Sequence, residues 1–130
     1  MLNKNYFFSI SILIKSFKYA FEGVWYAIKY NQNLRVHIVV AILVILASIF
    51  FHVDPFEMGI LGVMILLVIA SEMINTAIEQ MVDLITKEHR QEAKVAKDVA
   101  AGMVLVAAVG SVIVGILIFV PHIRLLFGWK

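Results

Sequence analysis

"GILGVMILLVIASEMINTAIEQMVDL", residues 59–84, joins two kinds of sequence. From Gly59 to Ala70 no side chain is charged, and the run suits a hydrocarbon solvent. The continuation carries Glu72, Asn75, Glu79 and Asp83. A helix advances about 100° per residue, so their spacings of 3, 4 and 4 place all four within an arc of roughly 80°. Thr76 lies at the edge of that arc, while Met73, Ile74, Ile78, Met81, Val82 and Leu84 occupy the other faces. A charged group at membrane depth must face protein or water, so the stripe lines a helix interface or a cleft. At a rise of 1.5 Å per residue, Glu72 and Glu79 stand about 10 Å apart, with Asp83 roughly 6 Å further on.

The rest of the chain supports a lipid environment. Of its 130 residues, 62% are hydrophobic and 15% charged, and the mean hydropathy is +0.95. A water-soluble domain needs far more polar surface than this. The length suits one domain, residues 1–130. With no cysteine, disulfides, thiolate metal sites and thiol nucleophiles are excluded. A cleavable signal peptide is not expected, because Lys15 and Lys18 break the apolar N-terminal stretch and no small-x-small cleavage site follows.

Three stretches are long enough to cross a bilayer core, which takes about 20 residues of helix. They are Leu34–Val53, Phe56–Ile85 and Val99–Val120. "DPFE" at 54–57 separates the first two, with Asp54 as a helix N-cap and Pro55 as a residue that cannot continue a helix. Pro121 is expected to close the third. Gly102, Gly110 and Gly115, with Ala100, Ala101, Ala107 and Ala108, are expected to let neighbouring backbones approach closely. Residues 6–30 differ. Lys15, Lys18, Glu22 and Lys29 interrupt the apolar residues, and Trp25, Tyr26 and Tyr30 cluster, as in an amphipathic helix lying in the membrane interface. The expected fold is therefore all-α integral membrane, an interfacial helix plus three transmembrane helices.

Lysine and arginine set the orientation. Lys4, Lys15, Lys18, Lys29 and Arg35 precede the first span, and Lys87, Arg90, Lys94 and Lys97 lie between the second and third. The connection between the first two spans has none. The positive-inside rule makes the N-terminus and the 86–97 segment cytoplasmic.

Three functions fit the polar stripe: structural glue between helices, an ion path in a small transporter, and catalysis. Glue usually employs Ser, Thr, Asn or Gln rather than three carboxylates. Carboxylates are ligands for hard cations such as Mg²⁺, which in turn favours phosphate chemistry. The basic segment "KEHRQEAKVAKD", 87–98, could hold polyphosphate beside them. No G-x-x-x-x-G-K-[ST] loop, G-x-G-x-x-G or D-F-G is present, so a nucleotide would need a membrane-specific fold.

"SEMINTAIEQMVDLI" followed by "AKVAKDVAAGMVL" resembles the signature of the small bacterial membrane lipid kinases, the diacylglycerol kinase and undecaprenol kinase family. "KSF" at 15–17, Gly23 and "NLRVH" at 33–37 share in the likeness, which covers about residues 12–121. The details around "VDLIT", "AKVAKDVAAG" and His37 look closer to the undecaprenol kinase branch. The resemblance implies a homotrimer in the bacterial cytoplasmic membrane, with active sites shared between subunits near the cytoplasmic surface. It implies ATP as phosphoryl donor, Mg²⁺ as cofactor, a membrane lipid alcohol as acceptor and no nucleic-acid partner. It would make Glu72 the general base, Glu79 a Mg²⁺ ligand and Asn75 a residue orienting substrate or phosphate. Asp83, Lys97, Asp98 and Lys15 would help place the nucleotide. The family has a second acidic metal ligand in an E-x-N-x-x-x-H pattern; here "NQNLRVH" puts Asn31 in that place. Ile12 likewise stands where an arginine is common. The alternative expectation is a non-catalytic oligomeric membrane protein or small transporter with a polar-lined helix interface.

Overall fold

The computed structural model describes residues 10–128. They form α1 (Ile10–Tyr30), α2 (Gln32–Phe50), α3 (Pro55–Ile85) and α4 (Gln91–Phe127). The last three are long and apolar enough to cross a membrane. The part of the interfacial helix expected at residues 6–9 lies outside the described residues.

One residue turns α1 into α2. Asn31 has extended dihedrals, φ −97° and ψ 112°, and its side chain accepts the Leu34 N–H as the N-cap of α2. The Arg35 guanidinium folds back and donates to the Ile28 and Lys29 carbonyls at 3.1 and 2.7 Å. Those carbonyls belong to the last turn of α1, which a helix leaves without internal donors. A cap on each side therefore fixes the corner. Beyond it α1 is largely exposed; Ala27 is its one buried residue, and Tyr26 donates to Gln80 of α3 at 3.2 Å.

The α2–α3 connection is equally short. His52 adopts φ 53°, its N–H reaches the Ile49 carbonyl, and the Val53 N–H reaches that of Ser48. This pair of bonds is the Schellman arrangement, in which the residue just past the helix enters the left-handed region. Val53 is thereby delivered to a buried cluster with Leu61 and Ile118, surrounded by Val44, Phe51, Val114 and Phe119. Asp54 then caps α3 through the Phe56 N–H at 2.8 Å, and Pro55 occupies the first turn, where no N–H is needed.

Buried positions recur at intervals of seven: Leu34, Ala41 and Ser48 on α2, Leu61, Val68 and Asn75 on α3, Ala100 and Ala107 on α4. This repeat keeps one seam of each helix turned toward its neighbours. The small residues in that seam are alanines and Ser48, not glycines. A Cβ added at Gly102 or Gly115 would meet nothing within 4 Å, and one at Gly110 would meet only the Met64 methyl at 3.6 Å. The expected close approach at the glycines is thus not made within this chain.

Two expected boundaries are corrected. Pro121 does not close the last span, because α4 continues to Phe127 and ends at Gly128 in the left-handed conformation. Proline removes one backbone donor, and a helix continues past it when side chains serve the freed groups. The carbonyl that Pro121 leaves without its N–H is that of Leu117; the His122 Nδ1 donates to the next one, Ile118, at 2.8 Å. The segment 86–97 is not all connection either. Only residues 86–90 lie outside helices, and Lys94, Lys97 and Asp98 stand on the first turns of α4. Apolarity marks where a membrane begins, whereas "QEAKVAKD" consists mostly of good helix formers, with Lys94 and Asp98 paired at i,i+4.

Candidate active site

Burial falls steadily along the polar stripe of α3. Glu72 is 2% exposed and Asn75 5%, Glu79 is half-buried and Asp83 exposed. The stripe runs from the packed seam out to the end of the helix.

At the buried end, the corner between α1 and α2 reaches into α3. The Asn31 Nδ2 donates to Glu72 Oε2 at 3.0 Å and to Thr76 Oγ1 at 2.7 Å. Thr76 in turn donates to the Glu72 backbone carbonyl at 2.9 Å. On the other side, His37 Nε2 stands 3.4 Å from Glu72 Oε1. At the start of α2, therefore, Asn31 binds one carboxylate oxygen and His37 faces the other.

One turn further along, the Asn75 Nδ2 donates to Glu79 Oε1 at 3.0 Å. The Asn75 Oδ1 is buried with no partner among the described residues. A buried carbonyl oxygen without a donor costs about 1–3 kcal/mol, so this atom is poised for a hydroxyl or a cation. It belongs to a cleft of about 360 Å³ shared by Asn33, Val36, His37, Glu72, Asn75 and the Ala101–Ala108 face of α4. A second cleft, about 380 Å³ and almost wholly apolar, begins at His37 and runs along α2, α3 and α4 as far as Phe119 and Ile123. His37 borders both.

At the exposed end lies a wider opening of about 640 Å³. Asp83 and Lys97 form an ion pair across it, and Lys94 pairs with Asp98 beside it. Lys87, His89 and Arg90 complete the rim. Glu88 lies on the same rim, paired with Arg90, so the opening sets Lys87, Arg90, Lys94 and Lys97 against Asp83, Glu88 and Asp98, the pairs among them all exposed.

The sequence-predicted residues fall into three groups. Glu72, Asn75 and Glu79 are contiguous through hydrogen bonds or one cleft. Asp83, Lys97 and Asp98 share the open mouth. Lys15, exposed on α1, joins neither. Asn31 lines a small cleft of about 230 Å³ with Thr76 and Glu79, but its side chain bonds to Glu72 and Thr76. Among the described residues no three His, Asp or Glu side chains converge as a metal site. Mg²⁺ that travels with a nucleotide takes most of its ligands from phosphate and water and needs only one or two carboxylates. Glu79, half-buried with Oε1 bound by the Asn75 amide, is a single carboxylate of the kind that requirement calls for.

His37 and Thr76 are contacts that sequence reasoning underrated. For His37 the signal was present: three residues after Leu34 and four before Ala41, it shares their buried stripe on an otherwise apolar helix.

A membrane helix bundle with a buried carboxylate at one end of a polar stripe and an open, charged mouth at the other is the class this fold and site define. The chain belongs to the prokaryotic diacylglycerol kinase family, a family of lipid kinases, whose model matches residues 18–119. It is 39% identical over 121 residues to a diacylglycerol kinase of Synechocystis sp., covering 92% of this chain and 69% of the relative. It is 37% identical over 123 residues to the undecaprenol kinase of Bacillus subtilis, covering 95% of this chain and all of the relative. A diacylglycerol kinase of Haemophilus influenzae is 34% identical over 109 residues, covering 82% and 92%.

Proposed function

We propose that the chain transfers the γ-phosphoryl group of ATP to the hydroxyl of a membrane lipid, undecaprenol or diacylglycerol, at the cytoplasmic surface of the membrane. The observation that carries this is the gradient along α3: a carboxylate 2% exposed at one end and, at the other, an open mouth where lysines and an arginine are held only by exposed pairs. A lipid hydroxyl that cannot leave the bilayer and a nucleotide that cannot enter it would meet between them.

Glu72 takes the proton of the lipid hydroxyl. The oxygen attacks the γ-phosphorus, the bond from that phosphorus to the bridging oxygen of ADP breaks, and the products are the lipid phosphate and ADP. The transition state of such a transfer needs positioning and charge neutralisation more than covalent help. Asn75, with its free carbonyl oxygen, orients the hydroxyl. Asp83, Lys97 and Asp98 place the nucleotide at the mouth. Glu79 would hold Mg²⁺, which neutralises the phosphate oxygens when bound. The basic segments set the N-terminus and the 86–90 connection on the cytoplasmic side, and α1 lies in the interface. Assembly as a homotrimer would bring Lys15 to the nucleotide from a neighbouring copy.

The test is transfer of label. Purified protein in mixed micelles is given ATP labelled in its γ-phosphoryl group, with undecaprenol or diacylglycerol. Label in one lipid supports the assignment and selects the acceptor. Folded protein that labels neither removes it.

A further inference from the structure

Asn31 occupies the place where the resemblance expects a second metal ligand, yet its side chain is committed elsewhere. The Oδ1 accepts the Leu34 N–H at 3.0 Å, and the Nδ2 donates to Glu72 Oε2 and Thr76 Oγ1. The partners fix which way the amide points. A backbone N–H only donates and a carboxylate only accepts, so rotating the amide by half a turn would set donor against donor and acceptor against acceptor. The cap that starts α2 therefore also aims the amide at α3. We infer that Asn31 is a positioning residue for the Glu72 carboxylate and not a ligand of the metal.

The inference rests on Glu72 being the base. A base must present one oxygen to the hydroxyl in a fixed direction. With Oε2 bound by the Asn31 amide, which is itself held by the Leu34 N–H and Thr76 Oγ1, rotation about the last side-chain bond is restrained, and Oε1 is left facing His37 and the shared cleft. An acidic residue at position 31 cannot make this bond. It has no donor, and its carboxylate would face that of Glu72 at hydrogen-bond distance, where like charges disfavour each other. Asparagine at this corner and a buried, neutral-donor hold on Glu72 thus belong together.

Asn31→Asp separates the two roles. Aspartate caps a helix as well as asparagine does, so the start of α2 is retained while the donor to Glu72 is lost. As a positioning residue, Asn31→Asp lowers kcat by about 10- to 100-fold. It leaves KM for ATP and the Mg²⁺ concentration for half-maximal activity within about twofold of the parent. Asn31→Ser, which keeps a cap but is too short to reach Glu72, lowers kcat in the same way. As a metal ligand, an added carboxylate would instead lower the Mg²⁺ midpoint, and Mg²⁺ alone would raise the thermal midpoint of Asn31→Asp more than that of the parent. Either of those results, or an unchanged kcat in both variants, overturns the inference. Glu72→Gln is run beside them. If it keeps full activity, the assignment of Glu72 as base falls. If it is inactive while both Asn31 variants are unimpaired, the base stands and only the role of Asn31 is refuted.

Discussion

Glu72→Gln tests the chemistry with little structural disturbance. The side chain is among the most buried in the chain, so its replacement must satisfy the same neighbours. Glutamine can. Its oxygen takes the place of Oε2 and accepts from Asn31, and its amide nitrogen then faces the His37 Nε2, which accepts when the imidazole is neutral. Volume is conserved, and one amide hydrogen faces His37 and the other the shared cleft, so the thermal midpoint in detergent should move little. What is lost is the ability to receive a proton. Removing a general base slows a reaction by about 10²–10⁴, equivalent to roughly 2.7–5.5 kcal/mol of transition-state stabilisation. Glu72→Ala should behave differently, leaving Asn31 with one acceptor fewer and a void beside it, and so lose stability as well as activity. The assay is lipid phosphate formed at saturating ATP and lipid, read against thermal unfolding of the same preparations. A Glu72→Gln protein that retains more than about a tenth of the parent's kcat would refute the role of Glu72 as base.

Glu79→Gln should raise the Mg²⁺ concentration needed for half-maximal activity by about tenfold, because the amide replaces the charged oxygen a hard cation prefers; a Mg²⁺ titration at fixed ATP checks it. Lys97→Met should raise KM for ATP by about tenfold, as one charge-assisted contact to phosphate is lost, while stability changes by less than about 1 kcal/mol because the pair with Asp83 is exposed. A cysteine replacing Phe56, which is 78% exposed, should react with an impermeant maleimide from outside the cell, and one replacing Gln91 should not; the parent chain has no cysteine to confuse the labelling. His52→Gly should stabilise the protein by up to about 1 kcal/mol in thermal or denaturant unfolding, because the left-handed position strains a residue with a Cβ.

The sequence made the helices legible through apolar length, and the stripe on α3 through a spacing of three and four. Both are local properties. Proline at 121 misled because it removes a single rung of the helix ladder, and in a bilayer a helix tolerates that loss and runs on, here to Phe127. The span read from Val99 does not mark the start of α4 at Gln91, because hydrophobicity records where a helix meets lipid, not where it begins. The bond from Asn31 to Glu72 spans 41 residues, and no periodicity carries that information. It depends on a one-residue corner between α1 and α2, whose direction follows from the cap and from Arg35 folding back. A motif comparison shows that an acidic residue is absent at position 31; only the folded corner shows what the amide does there.

Distance along α3 decides what each carboxylate is able to do. Glu72 and Asp83 are eleven residues apart, about 16 Å on the helix axis. At Asp83 solvent ions screen charge beyond roughly 8–10 Å, and an exposed pair such as Asp83–Lys97 contributes little. Incoming phosphate can therefore exchange with it at small cost. At Glu72 no such exchange is cheap, because each partner lost would leave a buried polar atom unpaired. A labile end suits a nucleotide that must arrive and leave in every cycle. A fixed end suits a base whose direction must not change. In the proposed reaction, placing the two ends on one helix would tie the nucleotide's position to that of the hydroxyl through a rigid rod, and the bond from Asn31 to Glu72 would set the zero of that scale.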